Sequence, residues 1–260
     1  NKMKQNKNNL IPVNVITGFL GSGKTTLLRR LLKSKAMSNT AVLINEFGEI
    51  GLDHELIEHI DENTVMLQSG CICCTIRDDL TSSLLKLLDQ RFSKEINFNR
   101  VILETTGLAD PSPIIYSIYK GNLIKNNYRL SNIVTTVDSV NGLNHIKNNI
   151  ESVKQITVSD NIIITKTDIS KEQLIDLKYK IKNLNPSAPI VINEKNININ
   201  KIFKDDFYSV ENKTEEVKKW IEIEDKKEED ASNMHSHSVN RHSKDIYSFN
   251  LSFFDPINWT

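Results

Sequence analysis

Residues 13–32 read VNVITGFLGSGKTTLLRRLL. Within them, Gly18 to Thr25 match G-x-x-x-x-G-K-[ST], a loop that wraps phosphate oxygens in backbone amides. The flanks suit that reading. Val13–Ile16 is β-rich, and KTTLLRRLL has helical leucine spacing. A strand, a glycine-rich turn and a helix N-terminus together aim the amides of Gly21, Ser22, Gly23 and Lys24 at an anion, with the positive end of the helix dipole behind them. The Lys24 ammonium is expected to reach the β- and γ-phosphates, and the Thr25 hydroxyl to ligate Mg²⁺. Such a loop sits at the carboxyl end of a parallel strand, so it predicts an α/β fold.

The rest of the chain to about residue 203 agrees. Val13–Ile16, Ala41–Ile44, Val65–Gln68, Val101–Glu104, Asn132–Val137, Asn161–Thr165 and Ile190–Ile192 are the expected strands. Several are runs of Ile and Val without polar alternation, as when both faces of a parallel strand are buried. Between them lie helical patterns, with Leu80, Leu84, Leu87 and Leu88 on one and Leu174, Leu177, Ile181 and Leu184 on another. This predicts a mostly parallel, doubly wound sheet whose ligands bind at the carboxyl ends of its strands.

Composition excludes other classes. The 260 residues carry 33 basic and 33 acidic side chains, so net charge gives no reason for a nucleic-acid or membrane partner. No apolar run approaches a membrane span. The polar residues 1–9 are expected to be a disordered tail without a secretory core. Residues 10–210 form the expected nucleotide-binding domain. The charge-dense residues 211–245 read as a linker that opens with a solvated amphipathic helix on Val217, Trp220 and Ile221 and holds His235, His237 and His242. Residues 246–260 read as the first strand of a truncated α+β domain.

Three further stretches carry chemistry. TKTD at 165–168 resembles the guanine-recognition N-K-x-D: Asp168 accepts from guanine N1 and N2, and the Lys166 stem packs on the base. Thr165 stands where Asn is usual and is expected to soften that selectivity. ETTG at 104–107 ends a strand, placing Glu104 to hold Mg²⁺ through water or to orient an attacking water, with Gly107 as a pivot. NEFGEIGLD at 45–53 reads as a switch, with Asn45, Glu46, Glu49 and Asp53 on the nucleotide side. Arg77 is either a phosphate contact or an exposed helix-start residue. No positioned Gln or arginine finger is evident, so slow intrinsic turnover is expected.

All three cysteines fall in GCICC at 70–74. An odd, tightly spaced set is no disulfide framework, and it points to a reducing, cytoplasmic setting. Cys71, Cys73 and Cys74 can converge as thiolates on Zn²⁺. A redox pair or plain burial are the competing readings. Three sulfurs leave the fourth position to a carboxylate, a histidine, water or an incoming ligand, and an open site suits transfer.

GFLGSGKTTLL, NEFGE, GCICC, ETTGLADP and TKTD, in this order, resemble the CobW-type metallochaperone GTPases, also called zinc-regulated GTPase metalloprotein activators. The resemblance covers about Ile11 to Asn193. It implies a SIMIBI-class P-loop G domain, with GTP, Mg²⁺ and Zn²⁺ bound and zinc inserted into a client metalloprotein. Carried over by motif, Gly18, Gly21, Ser22, Gly23, Lys24, Thr25 and Thr26 bind phosphates, and Lys166 and Asp168 bind guanine. Thr25 and Glu104 hold Mg²⁺, and Cys71, Cys73 and Cys74 hold the transferred metal. Lys24, Glu104 and Glu49 are the candidate catalytic groups, with Glu49 also a candidate metal ligand. Homodimerisation is left open. A small-molecule kinase would need an arginine-bearing lid and no guanine motif. A nucleotide-binding zinc buffer or sensor without productive turnover shares every motif.

Overall fold

The computed structural model describes residues 10–44, 65–68, 76–121, 124–169, 172–192, 202–203 and 208–233. Among them, seven strands form one sheet: β1 (Ile11–Gly18), β2 (Thr40–Ile44), β3 (Val65–Gln68), β4 (Arg100–Glu104), β5 (Tyr128–Asp138), β6 (Asn161–Thr165) and β7 (Ile190–Ile192). Their order is β3-β2-β4-β1-β5-β6-β7, and all six pairings are parallel. The helices between them are α1 (Lys24–Leu32), α2 (Ile76–Phe92), α3 (Pro111–Lys120), α4 (Gly142–Asn148), α5 (Ile150–Val158) and α6 (Leu174–Leu184). The chain winds to one side of β1 through β2, β3 and β4, then crosses to the other side for β5, β6 and β7. The crevice beside the carboxyl end of β1 is therefore the switch point where such sheets bind ligands.

Both faces of the sheet are buried, which explains the unbroken apolar strands. Val13 and Val15 of β1, with Ala41, Leu43, Val101 and Leu103, pack against Leu80, Leu84, Leu87 and Leu88 of α2. Ile16, with Val42, Ile102, Val134 and Ile163, packs against Leu27, Leu28 and Leu31 of α1. The expected face of α6 also forms: Leu177 and Ile181 are buried, with Leu174 and Leu184 packed beside them. Strand β5 is longer than Asn132–Val137. Tyr128 and Leu130 also point into the core, and the Tyr128 hydroxyl donates to the Leu84 carbonyl at 2.9 Å.

The expected linker from residue 211 is corrected in its first part. Helix α7 (Glu215–Asn233) is not a solvated helix between domains, because its apolar stripe is part of the main core. Val217 and Ile221 are buried, Trp220 packs beside them, and the Lys154 ammonium lies 5.4 Å from the Trp220 ring centroid. Polar contacts fix the same segment. Tyr208 donates its amide to Leu130 O at 3.1 Å, and Lys213 pairs with Asp160 at 2.6 Å. Asp225 accepts from Tyr116 and Lys120. The expected tail 1–9 and strand 246–260 lie outside the described residues, as do the three linker histidines. Among the described residues no helix is long and apolar enough to cross a membrane.

Full burial of an aliphatic side chain stabilises by about 1.5–3 kcal/mol. A chain ended after Val210 is therefore expected to melt about 5–15 °C lower than one ended after Asn233. Equal melting temperatures by calorimetry would contradict the packing of α7.

Candidate nucleotide site

The turn after β1 is built around close backbone approach. Gly18 ends the strand opposite Thr136, and a Cβ on it would lie 2.4 Å from the Thr136 carbonyl oxygen. Only glycine fits there, and its φ of 144° is one that side chains disfavour. The Ser22 amide donates to Phe19 O at 3.1 Å, and Gly23, with a φ of 89°, leads into α1. No side chain caps that helix end, so its first amides face the loop. Gly21 lies on the exposed rim of the loop and Thr26 on the exposed side of the first helical turn, whereas Ser22 is buried.

Lys24 curls over the loop, its ammonium donating to Gly18 O at 3.0 Å and Phe19 O at 3.1 Å. Thr25, one residue on, donates its hydroxyl to Glu104 Oε1 at 2.7 Å. Glu104 reaches it because β4 lies beside β1, with Glu104 level with Ile16. The strand-end carboxylate is buried, and it meets the hydroxyl that the loop motif assigns to Mg²⁺. A hydroxyl and a carboxylate at this spacing are the hard oxygen donors that Mg²⁺ takes.

The ETTG segment packs directly on the phosphate loop. A Cβ on Gly107 would lie 2.6 Å from the Leu20 amide nitrogen, so glycine is required there by contact. Thr105 donates to the Thr17 hydroxyl at 2.8 Å. Gln155 of α5 donates to Gly107 O at 3.1 Å and Ala109 O at 3.0 Å. Asp110, in the same motif, is a cap: it accepts from Ser112 N at 2.9 Å and pairs with Lys154 at 2.6 Å. Burial pushes its carboxyl up, but the charge and hydrogen bond of Lys154, with the Ser112 amide, hold it below the ordinary carboxylate value.

On the other side, β6 delivers TKTD. Thr165 is level with Asp138 of β5, and its hydroxyl donates to Ser22 O at 2.7 Å and Val137 O at 3.3 Å. It braces the phosphate loop instead of facing a base. Lys166 has a φ of 57° and pairs with Asp138 at 2.8 Å. Asp168 is exposed and has no hydrogen-bond partner among the described residues. His145 of α4 packs on Phe19 with ring centroids 4.6 Å apart, and burial pushes its imidazole below the ordinary value.

The structure thus gathers Lys24, Thr25 and Glu104 at one end of the crevice and Lys166 and Asp168 at the other. Asn45, Glu46, Glu49, Asp53, Cys71, Cys73 and Cys74 lie outside the described residues, as does the side chain of Arg77. Among the described residues no group of three His, Cys, Asp or Glu side chains could hold a metal. Sequence reasoning missed Thr136, Asp138, His145 and Gln155. The one signal was TTVD at 135–138, which places two hydroxyls and a carboxylate at the end of an expected strand.

The family model for the CobW/HypB/UreG nucleotide-binding domain matches residues 12–192. The chain belongs to this family. It is 37% identical over 182 residues to the zinc chaperone YjiA of Escherichia coli K12, a match covering 70% of this chain and 57% of that protein. It is 36% identical over 189 residues to zinc-regulated GTPase metalloprotein activator 1 of Schizosaccharomyces pombe, covering 70% of this chain and 45% of that protein. Among solved structures, Zn(II)-bound YjiA GTPase from E. coli superposes with a TM-score of 0.61 at 29% identity, over 77% of this chain and 63% of that one. The hydrogenase maturation factor HypB of Archaeoglobus fulgidus shares the fold, with a TM-score of 0.51 at 19% identity over 71% of this chain and 81% of that one. The chain spans about half the length of the curated relatives it matches. As a CobW-family domain it has the expected α/β P-loop fold.

The Asp110 pair makes a pH prediction. A carboxyl depressed in the folded state stabilises above its unfolded value and loses that contribution as pH falls through its folded value. Asp110→Asn is therefore expected to lower the urea midpoint near neutral pH, with the gap to the parent closing as pH falls below the ordinary carboxylate range. A gap independent of pH would show that the cap acts without its charge.

Proposed function

We propose that the chain is the nucleotide-hydrolysing domain of a GTP-dependent metallochaperone, which carries zinc on Cys71, Cys73 and Cys74 and passes it to a client metalloprotein. The observation that carries the nucleotide part is the Thr25–Glu104 pair beside Lys24, with Lys166 and Asp168 at the carboxyl end of β6. The zinc part is supported by the GCICC stretch and by relatives whose names are zinc chaperone and zinc-regulated activator.

The residues divide the work as follows. Amides of Gly21, Ser22, Gly23 and Lys24 bind the phosphates, and the Lys24 ammonium exchanges the carbonyls of Gly18 and Phe19 for phosphate oxygens. Thr25 and Glu104 would hold Mg²⁺, which would supply charge neutralisation to the bound phosphates. Asp168 accepts from guanine N1 and N2, and the Lys166 stem covers the base. Glu49 belongs to the segment after β2 and the cysteines to the segment after β3. Both strands run parallel within the sheet that holds β1, so the carboxyl ends of β2 and β3, which these segments follow in sequence, face the nucleotide edge. A switch that responds to the γ-phosphate can there exchange a metal-holding arrangement for a releasing one. The client is an apo-metalloprotein.

Linkage makes the coupling reciprocal: whatever factor GTP imposes on zinc affinity, zinc imposes on GTP affinity. Phosphate release is expected from GTP in excess of ATP and is expected to vanish in Lys24→Ala. Competition with a chromogenic chelator is expected to give about one Zn²⁺ per chain, bound about 5–150-fold more tightly with a non-hydrolysable GTP analogue than with GDP. Cys73→Ser is expected to abolish that difference and leave GTP binding intact. Identical zinc affinity in the apo, GDP and GTP-analogue states would reject delivery and favour a passive zinc buffer.

A further inference from the structure

We infer that Asp138 is a positioning residue for base selection: it anchors the Lys166 side chain, and through it the turn that presents Asp168. The inference rests on the reading of Lys166 and Asp168 as the guanine pair.

Asp138 is the last residue of β5 and is 1% exposed. A carboxylate in that position is costly unless it is paired and hydrogen-bonded. Three donors meet it: Lys166 Nζ at 2.8 Å, Val140 N at 2.7 Å and Asn141 Nδ2 at 3.4 Å. The shorter of the latter two, from Val140 N to Oδ1, closes the turn towards α4, and a neutral amide oxygen could accept it as well. The contact that calls for a charge is the one to Lys166.

The neighbouring Ser139 holds the main chain of the same residue. Its amide donates to Thr165 O at 3.0 Å and its hydroxyl to Lys166 O at 2.8 Å. Lys166 therefore has its backbone held by Ser139 and its side chain by Asp138. Its φ of 57° is a conformation that residues with a Cβ adopt only when their surroundings impose it. The Ile169 amide then closes the turn onto Lys166 O at 3.0 Å, which fixes where Asp168 emerges. A lysine stem is flexible, and ordering it in advance removes that loss from the binding step. Asp138 also lines a small cavity with Phe19 and His145, so it lies between the phosphate loop and the base turn.

The test uses the full chain with Mg²⁺ and equilibrium binding of fluorescently labelled GDP and ADP. Asp138→Asn keeps an acceptor for the turn and removes the charge. It is expected to weaken GDP about tenfold and to leave ADP within about twofold. In a Lys166→Met background it is expected to add nothing, because the two residues act as a unit. Equal losses for GDP and ADP, an unchanged preference, or additive effects in the double variant would each overturn the inference and leave Asp138 as a turn cap. If Asp138→Asn does not fold, Asp138→Glu keeps the charge and displaces it. That variant is expected to weaken GDP selectively, and an equal loss for ADP overturns the inference. Asp168→Ala tests the underlying reading separately. A preference that survives Asp168→Ala overturns the base site itself, whereas one lost there but intact in Asp138→Asn overturns only the role of Asp138.

Discussion

The phosphate loop is held from behind by two threonine hydroxyls, and the geometry of the crevice depends on that support. Thr165 of β6 donates to Ser22 O at 2.7 Å, and Thr136 of β5 meets Ser22 Oγ at 2.7 Å. Both strands lie on the same side of β1, so the second half of the sheet clamps a loop that belongs to the first half. Gly18 lets the loop approach β5 closely enough for this to happen. All of these groups are buried. Removing one partner would leave a buried polar atom unsatisfied at a cost of about 1–3 kcal/mol. A loop fixed in this way presents its amides ready-made and need not order them at the moment of binding.

The same support ties the base turn to the phosphate loop. Thr165 begins TKTD, so the residue that steadies Ser22 is covalently joined to the pair assigned to guanine. On the opposite side, Gly107 abuts Leu20 and Gln155 secures Gly107 and Ala109 to α5. The segment after Glu104 thus touches the phosphate loop at one end and a packed helix at the other. On the function proposed above, a change at the γ-phosphate would have a short physical route into the domain through these contacts.

Much of the site was legible because its chemistry is local. G-x-x-x-x-G-K-T specifies its own turn, and Glu104 stood out as the strand-end carboxylate that opens ETTG. The sheet was legible from Ile and Val runs without alternation. What escaped depends on residues distant in sequence. Asp138 matters only once β5 and β6 are known to be neighbours, and Gln155 only once α5 is known to lie over ETTG. Thr165 looked like a weakened base contact, yet its hydroxyl serves the loop. Helix α7 was misread for a different reason. Its charged residues outnumber Val217, Trp220 and Ile221, and local composition cannot reveal a core surface waiting for three side chains.

The central claim is that one crevice binds phosphates at Lys24 and a guanine base at Asp168. Hydrogen–deuterium exchange of the full chain, with Mg²⁺ and either GTP or ATP at saturation, tests both halves in one measurement. The account predicts slowed exchange at residues 21–25 with either nucleotide and at residues 166–169 with GTP alone. Identical protection of both segments by GTP and ATP, or protection by GTP that spares residues 21–25, would contradict it.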